Sequence, residues 1–190
     1  MNSKIKGIRG ALVVSITGGL MGCASPLPWY QAPVGTPTAA VRFVSLAPGN
    51  TAMESVAAGD CGAEATGLFG DFHPGSGDWQ AYRRGFDHRV GMPLGDSYEK
   101  HVFAEYNVRV DTPLRLRVIN VSSAGFGPYD VATCDKVVSL ALHGGGFYEM
   151  VVSNRGERCT VDAYQISKAA EETSFFRQPI QVTVQPLKCK

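Results

Sequence analysis

The sequence carries little net charge and has no dense run of one sign. Among its 190 residues, 18 Lys and Arg residues oppose 17 Asp and Glu residues, and charged residues make up only 18% of the chain. A protein that binds nucleic acid through phosphate contacts needs a basic patch or stripe. We therefore expect no nucleic-acid partner.

Short catalytic motifs are also absent. The sequence contains no GxSxG, HExxH, Walker A or GxGxxG pattern, and no CxxC or Cys–His spacing typical of zinc. We therefore predict no catalytic residue, no metal site and no cofactor. His73 near Asp71 and His88 beside Asp87 come closest to a metal or acid–base cluster, and we interpret them as surface loop residues.

A nucleophile cannot be sought by local motif alone, because catalytic triads assemble in space. Ser76 or Ser97 with a distant histidine, His101 and His143 included, keeps a small hydrolase as one alternative. The pattern favours a non-enzymatic protein.

No apolar run is long enough to span a bilayer, which needs about 20 residues. Residues 11–20 form an uncharged apolar segment with two glycines, preceded by the basic residues Lys4, Lys6 and Arg9. A basic start followed by a short apolar segment is typical of a signal peptide, which we assign to residues 1–22. Without it, the chain carries 15 basic and 17 acidic residues.

The signal segment ends in Leu20-Met21-Gly22-Cys23, which resembles the lipobox of bacterial lipoproteins. The resemblance implies a diacylglyceryl group on Cys23, cleavage before it and an N-acyl chain such as palmitate. Ala24-Ser25, rather than Asp, follows the cysteine, which implies sorting to the outer membrane of a Gram-negative bacterium. Several acyl chains suffice for stable anchoring. The domain would face the periplasm or the cell surface; the alternative is a plain secretory signal with an incidental cysteine.

Residues 23–38 form a lipidated, proline-rich tether. Pro26, Pro28, Pro33 and Pro37 stiffen it towards polyproline II. Trp29-Tyr30 has two interpretations, since amphipathic aromatics sit at the lipid headgroups or pack on a domain.

Residues 39–190 are predicted to fold as an all-β domain. The chain holds 22 Gly and 11 Pro, and short β-branched runs recur between turn signals. Seven or eight strands predict a two-sheet antiparallel β-sandwich, with a helical turn as an option at residues 167–176. The domain resembles the immunoglobulin- or transthyretin-like domain of envelope lipoproteins, a likeness of fold that carries no activity. The predicted strands are residues 40–46, 51–56, 102–110, 114–121, 134–142, 147–153, 158–166 and 181–184.

In residues 114–121 the alternation places Arg115 and Arg117 towards water and the aliphatic residues in the core. Glycine-containing connections join residues 134–142, 147–153 and 158–166, which predicts a β-meander of two hairpins.

Residues 62–97 form one long glycine-rich loop, which is functional, partly disordered or contains short strands. Exposed aromatics and arginines are typical interface anchors. Gly91-Met92-Pro93 is a structural turn or a contact point, of which we favour the turn. The candidate binding surface in this loop comprises Trp79, Tyr82, Arg83, Arg84, Phe86 and Arg89; its alternative role is to cover the sandwich.

The chain has five cysteines, and lipidation of Cys23 leaves Cys61, Cys134, Cys159 and Cys189 for two disulfides. In a flat meander, Cys134 and Cys159 would lie two strands apart, about 9–10 Å, which exceeds the Cα separation of about 7 Å that a disulfide tolerates. If the last strand pairs with residues 158–166, Cys189 comes close to Cys159. We therefore expect Cys61–Cys134 and Cys159–Cys189.

These features favour a membrane-anchored envelope lipoprotein that acts as a structural or protein-interaction module, with another envelope protein as its partner. A glycan- or peptidoglycan-binding module that stacks sugars on Trp79, Tyr82 and Phe86 is the alternative.

Overall fold

β-branched and aromatic segments build two five-stranded sheets in the computed structural model. The structure describes residues 27–47, 49–57, 64–72, 88–93, 103–123, 130–155, 158–168 and 175–185. Within these ranges all regular structure is β-strand and there is no helix. The ten strands are β1 (Thr38–Ser45), β2 (Asn50–Val56), β3 (Ala65–Phe72), β4 (Phe103–Arg109), β5 (Leu114–Ser123), β6 (Asp130–Leu140), β7 (Phe147–Arg155), β8 (Arg158–Lys168), β9 (Phe175–Ile180) and β10 (Thr183–Gln185).

Sheet 1 has the strand order β4-β1-β7-β8-β9, and sheet 2 has the order β10-β6-β5-β2-β3. Neighbouring strands run antiparallel except β1 and β7, which are parallel. The predicted two-sheet β-sandwich is confirmed, with ten strands among the described residues rather than seven or eight.

One continuous core joins the two sheets. Val41 and Phe43 of β1 and Leu116 and Val118 of β5 alternate with outward residues and are fully buried in the same cluster. Phe43 of sheet 1 stacks on Phe69 of sheet 2 with ring centroids 4.4 Å apart. Burial of each such side chain contributes about 1.5–3 kcal/mol relative to exposure.

The predicted meander is wrong in its first half. β6 belongs to sheet 2 and β7 to sheet 1, so residues 141–146 pass from one sheet to the other instead of closing a hairpin. Gly145 has φ +73° in this connection. Facing sheets lie about 10 Å apart, a gap that six residues span easily. The second hairpin, β7 with β8, is confirmed.

The C-terminal strands also differ from the expectation. β10, at residues 183–185, pairs with β6 and not with β8, whose outer neighbour is β9. Within the window 167–176, the four described residues, 167, 168, 175 and 176, all belong to strands, so the structure gives no support to a helical turn there.

The described disulfide joins Cys134 of β6 to Cys159 of β8, with 5.4 Å between the Cα atoms. The expected pairings Cys61–Cys134 and Cys159–Cys189 are therefore wrong, because Cys134 and Cys159 are bonded to each other. β6 and β8 do not share one flat sheet; they lie in opposite sheets and approach each other across the sandwich. Cys61 and Cys189 lie outside the described residues.

Part of the proline-rich segment packs on the domain. The N–H of Tyr30 donates to the carbonyl of Leu68 at 2.9 Å, and the N–H of Leu68 donates to the carbonyl of Pro28 at 2.9 Å. The Tyr30 ring lies 4.4 Å from the ring of Phe69. Of the two interpretations of Trp29-Tyr30, packing on the domain therefore holds for Tyr30. Trp29 forms an isolated parallel β-bridge with Leu68 and remains 39% exposed.

The long loop contains β3, so the option of hidden strands holds for residues 65–72. A second described piece, residues 88–93, lies along β4, where the N–H of Glu105 donates to the carbonyl of His88 at 2.9 Å. A search of the described residues for a helix long and apolar enough to cross a membrane returned none.

Candidate functional site

Arg89 is the described member of the binding surface predicted from the sequence. It is exposed, its guanidinium carbon lies 3.9 Å from the ring centroid of Phe103, and its Nη1 donates to the carbonyl of Phe103 at 2.7 Å. Arg89 thus fixes residues 88–93 to the edge of sheet 1. The other members lie outside the described residues: Trp79, Tyr82, Arg83, Arg84 and Phe86.

The other residues singled out from the sequence are distributed as follows. Cys23, the predicted lipidation site, lies outside the described residues, as do His73, His101, Ser76 and Ser97. The His88 ring stacks on Tyr106 with centroids 4.3 Å apart, and its Nδ1 donates to the carbonyl of Glu105. His143 is exposed in the connection between the sheets. The part of the chain that the structure describes holds no group of three or more His, Cys, Asp or Glu residues that could bind a metal.

A row of buried charges crosses sheet 1, and we name Glu105, Arg42 and Glu149 the charge row. In the sheet register, Arg42 of β1 stands opposite Glu105 of β4 and opposite Glu149 of β7. Directly opposed residues share a face of the sheet, so the three side chains lie side by side. All three are buried, although alternation places them on the face away from the main core.

Arg42 forms ion pairs with both carboxylates of the charge row. Its Nε and Nη2 donate to Oε1 of Glu105 at 3.1 and 2.9 Å, and its Nη1 lies 3.5 Å from Oε2 of Glu149. Val44 and Phe103 belong to a small apolar cluster on the same side, and the Arg42 guanidinium carbon lies 5.0 Å from the Phe103 ring centroid. Low-dielectric surroundings strengthen such pairs and penalise any single charge left without its partner.

The second oxygen of Glu105 is bound by backbone. The N–H groups of Val90, Gly91 and Met92 donate to Oε2 of Glu105 at 3.1, 3.2 and 3.2 Å. Three successive N–H groups on one anion form a backbone nest, and Gly91 has the φ of +80° that this local geometry uses. Nη2 of Arg42 also donates to the carbonyl of Pro93 at 2.8 Å. Residues 90–93 are therefore fixed against Glu105 and Arg42 within the domain, which favours the structural interpretation of Gly91-Met92-Pro93.

A further charge extends the charge row to the opposite edge of sheet 1, at β9. Nη2 of Arg177, on β9, donates to Oε1 of Glu149, and the Arg177 guanidinium carbon lies 4.4 Å from the ring centroid of Tyr164 on β8. Charges therefore alternate across sheet 1 and nearly cancel. Glu105 accepts hydrogen bonds through both oxygens, whereas Oε2 of Glu149 accepts none and lies 3.5 Å from Nη1 of Arg42. Both acids therefore face fixed protein groups, and the arrangement positions strands rather than offering a free acid or base.

Two further titrating groups are perturbed by burial. Burial raises the pKa of Tyr106 to about 12. Burial also raises the pKa of Glu54 above its ordinary value; nearby Arg117 opposes the shift and Asp135 adds to it.

A cleft of about 430 Å³ opens at one end of the sandwich. It lies where β2 ends and β3 begins, beside the turn that connects β4 to β5. The N-terminal segment forms one wall through Tyr30, Gln31 and Pro33, and Arg109 and Arg115 also line it. The volume falls within the range of small-molecule sites, about 300–1,000 Å³.

Arg115 and Arg117 occupy different environments. Arg117 keeps 28% of its side chain exposed and donates to both carboxylate oxygens of Asp135 at 2.9 Å. Arg115 is only 9% exposed, so the expectation that it faces water is wrong. Its Nε donates to Oε1 of Gln185 at 3.0 Å and its Nη1 to the carbonyl of Ala57. Strand alternation cannot distinguish these two positions, because the cover over Arg115 comes from distant residues.

Comparison with known proteins yields no family model, no curated protein and no solved structure that matches this chain.

Proposed function

We propose that this chain is a lipid-anchored bacterial envelope protein whose β-sandwich acts as a non-enzymatic structural or protein-interaction module. The observation that carries the proposal is Leu20-Met21-Gly22-Cys23 after a basic, apolar leader. Acylation of Cys23 would hold the domain at the outer membrane, and another envelope protein would be its partner.

The disulfide supports the proposed extracytoplasmic location. Disulfides persist in oxidising environments such as the periplasm, and Cys134–Cys159 is buried between two sheets. An extracytoplasmic location is compatible with this bond.

The charge row supports a binding or structural role over catalysis. Glu105 and Glu149 are carboxylates of the kind that serve as general acids or bases, yet their oxygens contact Arg42, Arg177 and backbone N–H groups. A general base must reach its substrate, whereas these oxygens are directed at fixed protein donors. The same contacts make sheet 1 a rigid platform, which favours presentation of a fixed surface to a partner.

The proposal is tested in a Gram-negative host that expresses the full chain. Metabolic labelling with a radioactive acyl chain and membrane fractionation are compared for wild type, Cys23→Ser and the matched control Ser25→Ala. We expect label and membrane association in wild type and in Ser25→Ala and their loss in Cys23→Ser. Equal membrane association of the three proteins would contradict the anchor.

Crosslinking in intact cells then tests the partner. We expect one envelope protein to crosslink reproducibly to wild type at native expression and less to Cys23→Ser, because the anchor raises the effective concentration. Wild type that crosslinks no envelope protein would contradict the interaction role.

A glycan-binding role is the second candidate, favoured by Arg89, an exposed arginine fixed over Phe103. Stacking aromatics with an ordered arginine are suited to sugar faces and hydroxyls. Retention on peptidoglycan by wild type, with loss in Trp79→Ala, would favour this role over the first.

A further inference from the structure

Arg115 is a buried cation bonded only to neutral acceptors within the described residues. Both of its partners, the Gln185 side chain and the Ala57 carbonyl, are uncharged, and its side chain is 9% exposed. Arg42, a second deeply buried arginine among the described residues, has two carboxylates beside it. Burial of a charge without an opposite charge is costly.

Arg115 lines the cleft at the end of the sandwich. The described residues that line this cleft include no Asp or Glu, and the second arginine there, Arg109, is paired with Asp111 at 2.5 Å. The described part of the wall therefore contributes a positive charge that none of its own residues neutralises. Anions are attracted to such a site, and low-dielectric walls strengthen the attraction.

The rest of the wall is apolar with a few hydroxyls. Val56, Val108 and Leu114 supply aliphatic surface. The hydroxyls of Ser55 and Thr66 are 3.1 Å apart, and both residues line the same cleft. This combination suits a ligand with one anionic end and a small apolar body.

We infer that this cleft binds a carboxylate or phosphate group joined to a small apolar body, with the Arg115 guanidinium as its counter-ion. The guanidinium fork presents parallel N–H groups that match both anions. The inference is independent of the lipid anchor, because every residue that carries it lies in the sandwich and in the adjoining N-terminal segment.

Isothermal titration of the purified full-length chain in a chloride buffer tests the inference. Hexanoate and hexyl phosphate are the anionic probes, and hexanamide is the neutral probe of similar size. We expect both anions to bind at least about ten-fold more tightly than hexanamide, since charge-assisted hydrogen bonds are roughly twice as strong as neutral ones. Equal affinity for hexanoate and hexanamide would overturn the inference without any variant.

Variants then assign the binding to Arg115. Arg115→Met should abolish the preference for anions, and Arg115→Lys should retain part of it because a charge remains without the fork. Arg117→Met is the matched control on the same strand and should retain wild-type binding, since Arg117 pairs with Asp135. Undiminished anion binding by Arg115→Met, or equal loss in Arg117→Met, would refute the assignment.

Vesicles separate a free ligand from a lipid headgroup. Neutral phosphatidylcholine vesicles are compared with vesicles that also contain phosphatidic acid. Binding to the acidic vesicles that Arg115→Met abolishes supports a lipid source, and Arg115-dependent binding of hexyl phosphate alone supports a free ligand. Acidic-vesicle binding that Arg115→Met leaves unchanged, without binding of either small anion, contradicts the inference.

Discussion

Replacement of Glu105 by Ala should destabilise the fold strongly. Glu105 is fully buried beneath residues 88–93 and accepts two hydrogen bonds from Arg42. Its other oxygen accepts from the N–H groups of Val90, Gly91 and Met92. The substitution removes all five contacts at once.

The expected magnitude follows from what remains buried. Loss of one partner of a buried ion pair costs about 3–5 kcal/mol. Each N–H that stays buried without an acceptor adds about 1–3 kcal/mol, though residues 90–92 can move towards water and recover part of this. We expect a net loss of about 4–6 kcal/mol, a large fraction of the roughly 5–15 kcal/mol that stabilises a typical domain.

Urea denaturation followed by far-ultraviolet circular dichroism measures this loss, with the disulfide intact. With a slope of about 2 kcal/mol/M, the midpoint of Glu105→Ala should fall by about 2–3 M. The urea midpoint of Glu105→Gln should lie between those of wild type and Glu105→Ala, because the amide retains one hydrogen-bond acceptor. The exposed ion-paired residue Asp111 provides the control: Asp111→Ala should unfold at the wild-type midpoint. If Glu105→Ala and Asp111→Ala unfolded at the same urea concentration, the description of the charge row would be wrong.

Three further predictions concern the core and its covering. Non-reducing peptide mapping should join Cys134 to Cys159, and replacement of both by Ala should cost about 3.5 kcal/mol for a separation of 25 residues; a map that joins Cys61 to Cys134 would refute the topology. Burial raises the pKa of Tyr106 to about 12, so the neutral phenol favours the folded state. Its contribution is complete below about pH 10 and is lost as the pH rises towards 12. The pH midpoint of alkaline unfolding, followed by circular dichroism, should therefore differ between wild type and Tyr106→Phe. An unchanged midpoint would contradict the effect of Tyr106 burial. Tyr30→Ala should speed proteolysis within residues 27–37 because the ring packs on Phe69, whereas Tyr30→Phe should remain close to wild type.

The two-sheet fold was predictable because the alternation of apolar and polar residues is visible within each strand segment by itself. The residues of β1 that face the core, Val41 and Phe43, alternate with Arg42, and β5 repeats the pattern. The boundaries of seven strands lie within two residues of the predicted ones: β1, β2, β4, β5, β7, β8 and β10. Such patterns specify the face that a side chain takes but not the neighbour of a strand, so the crossing between β6 and β7, and with it the disulfide, was missed.

The candidate site was less predictable because it forms between distant segments. Arg42, Glu105 and Glu149 each stand between two apolar residues in a strand, a pattern that ordinarily places the charge towards water, so no local signal shows that this face of sheet 1 is covered. Their pairing depends on register, which the sequence does not state. Arg115 has the same local pattern as Arg117, and its burial depends on Ala57 and Gln185.

The most direct test of the proposed function is the mass of the mature N-terminus. The protein is isolated from the membrane fraction of a Gram-negative host, and its N-terminal peptide is identified by tandem mass spectrometry. We expect a chain that begins at Cys23 and carries a diacylglyceryl group and an N-acyl chain. A mature chain that begins at another residue, or an unmodified Cys23, would contradict it.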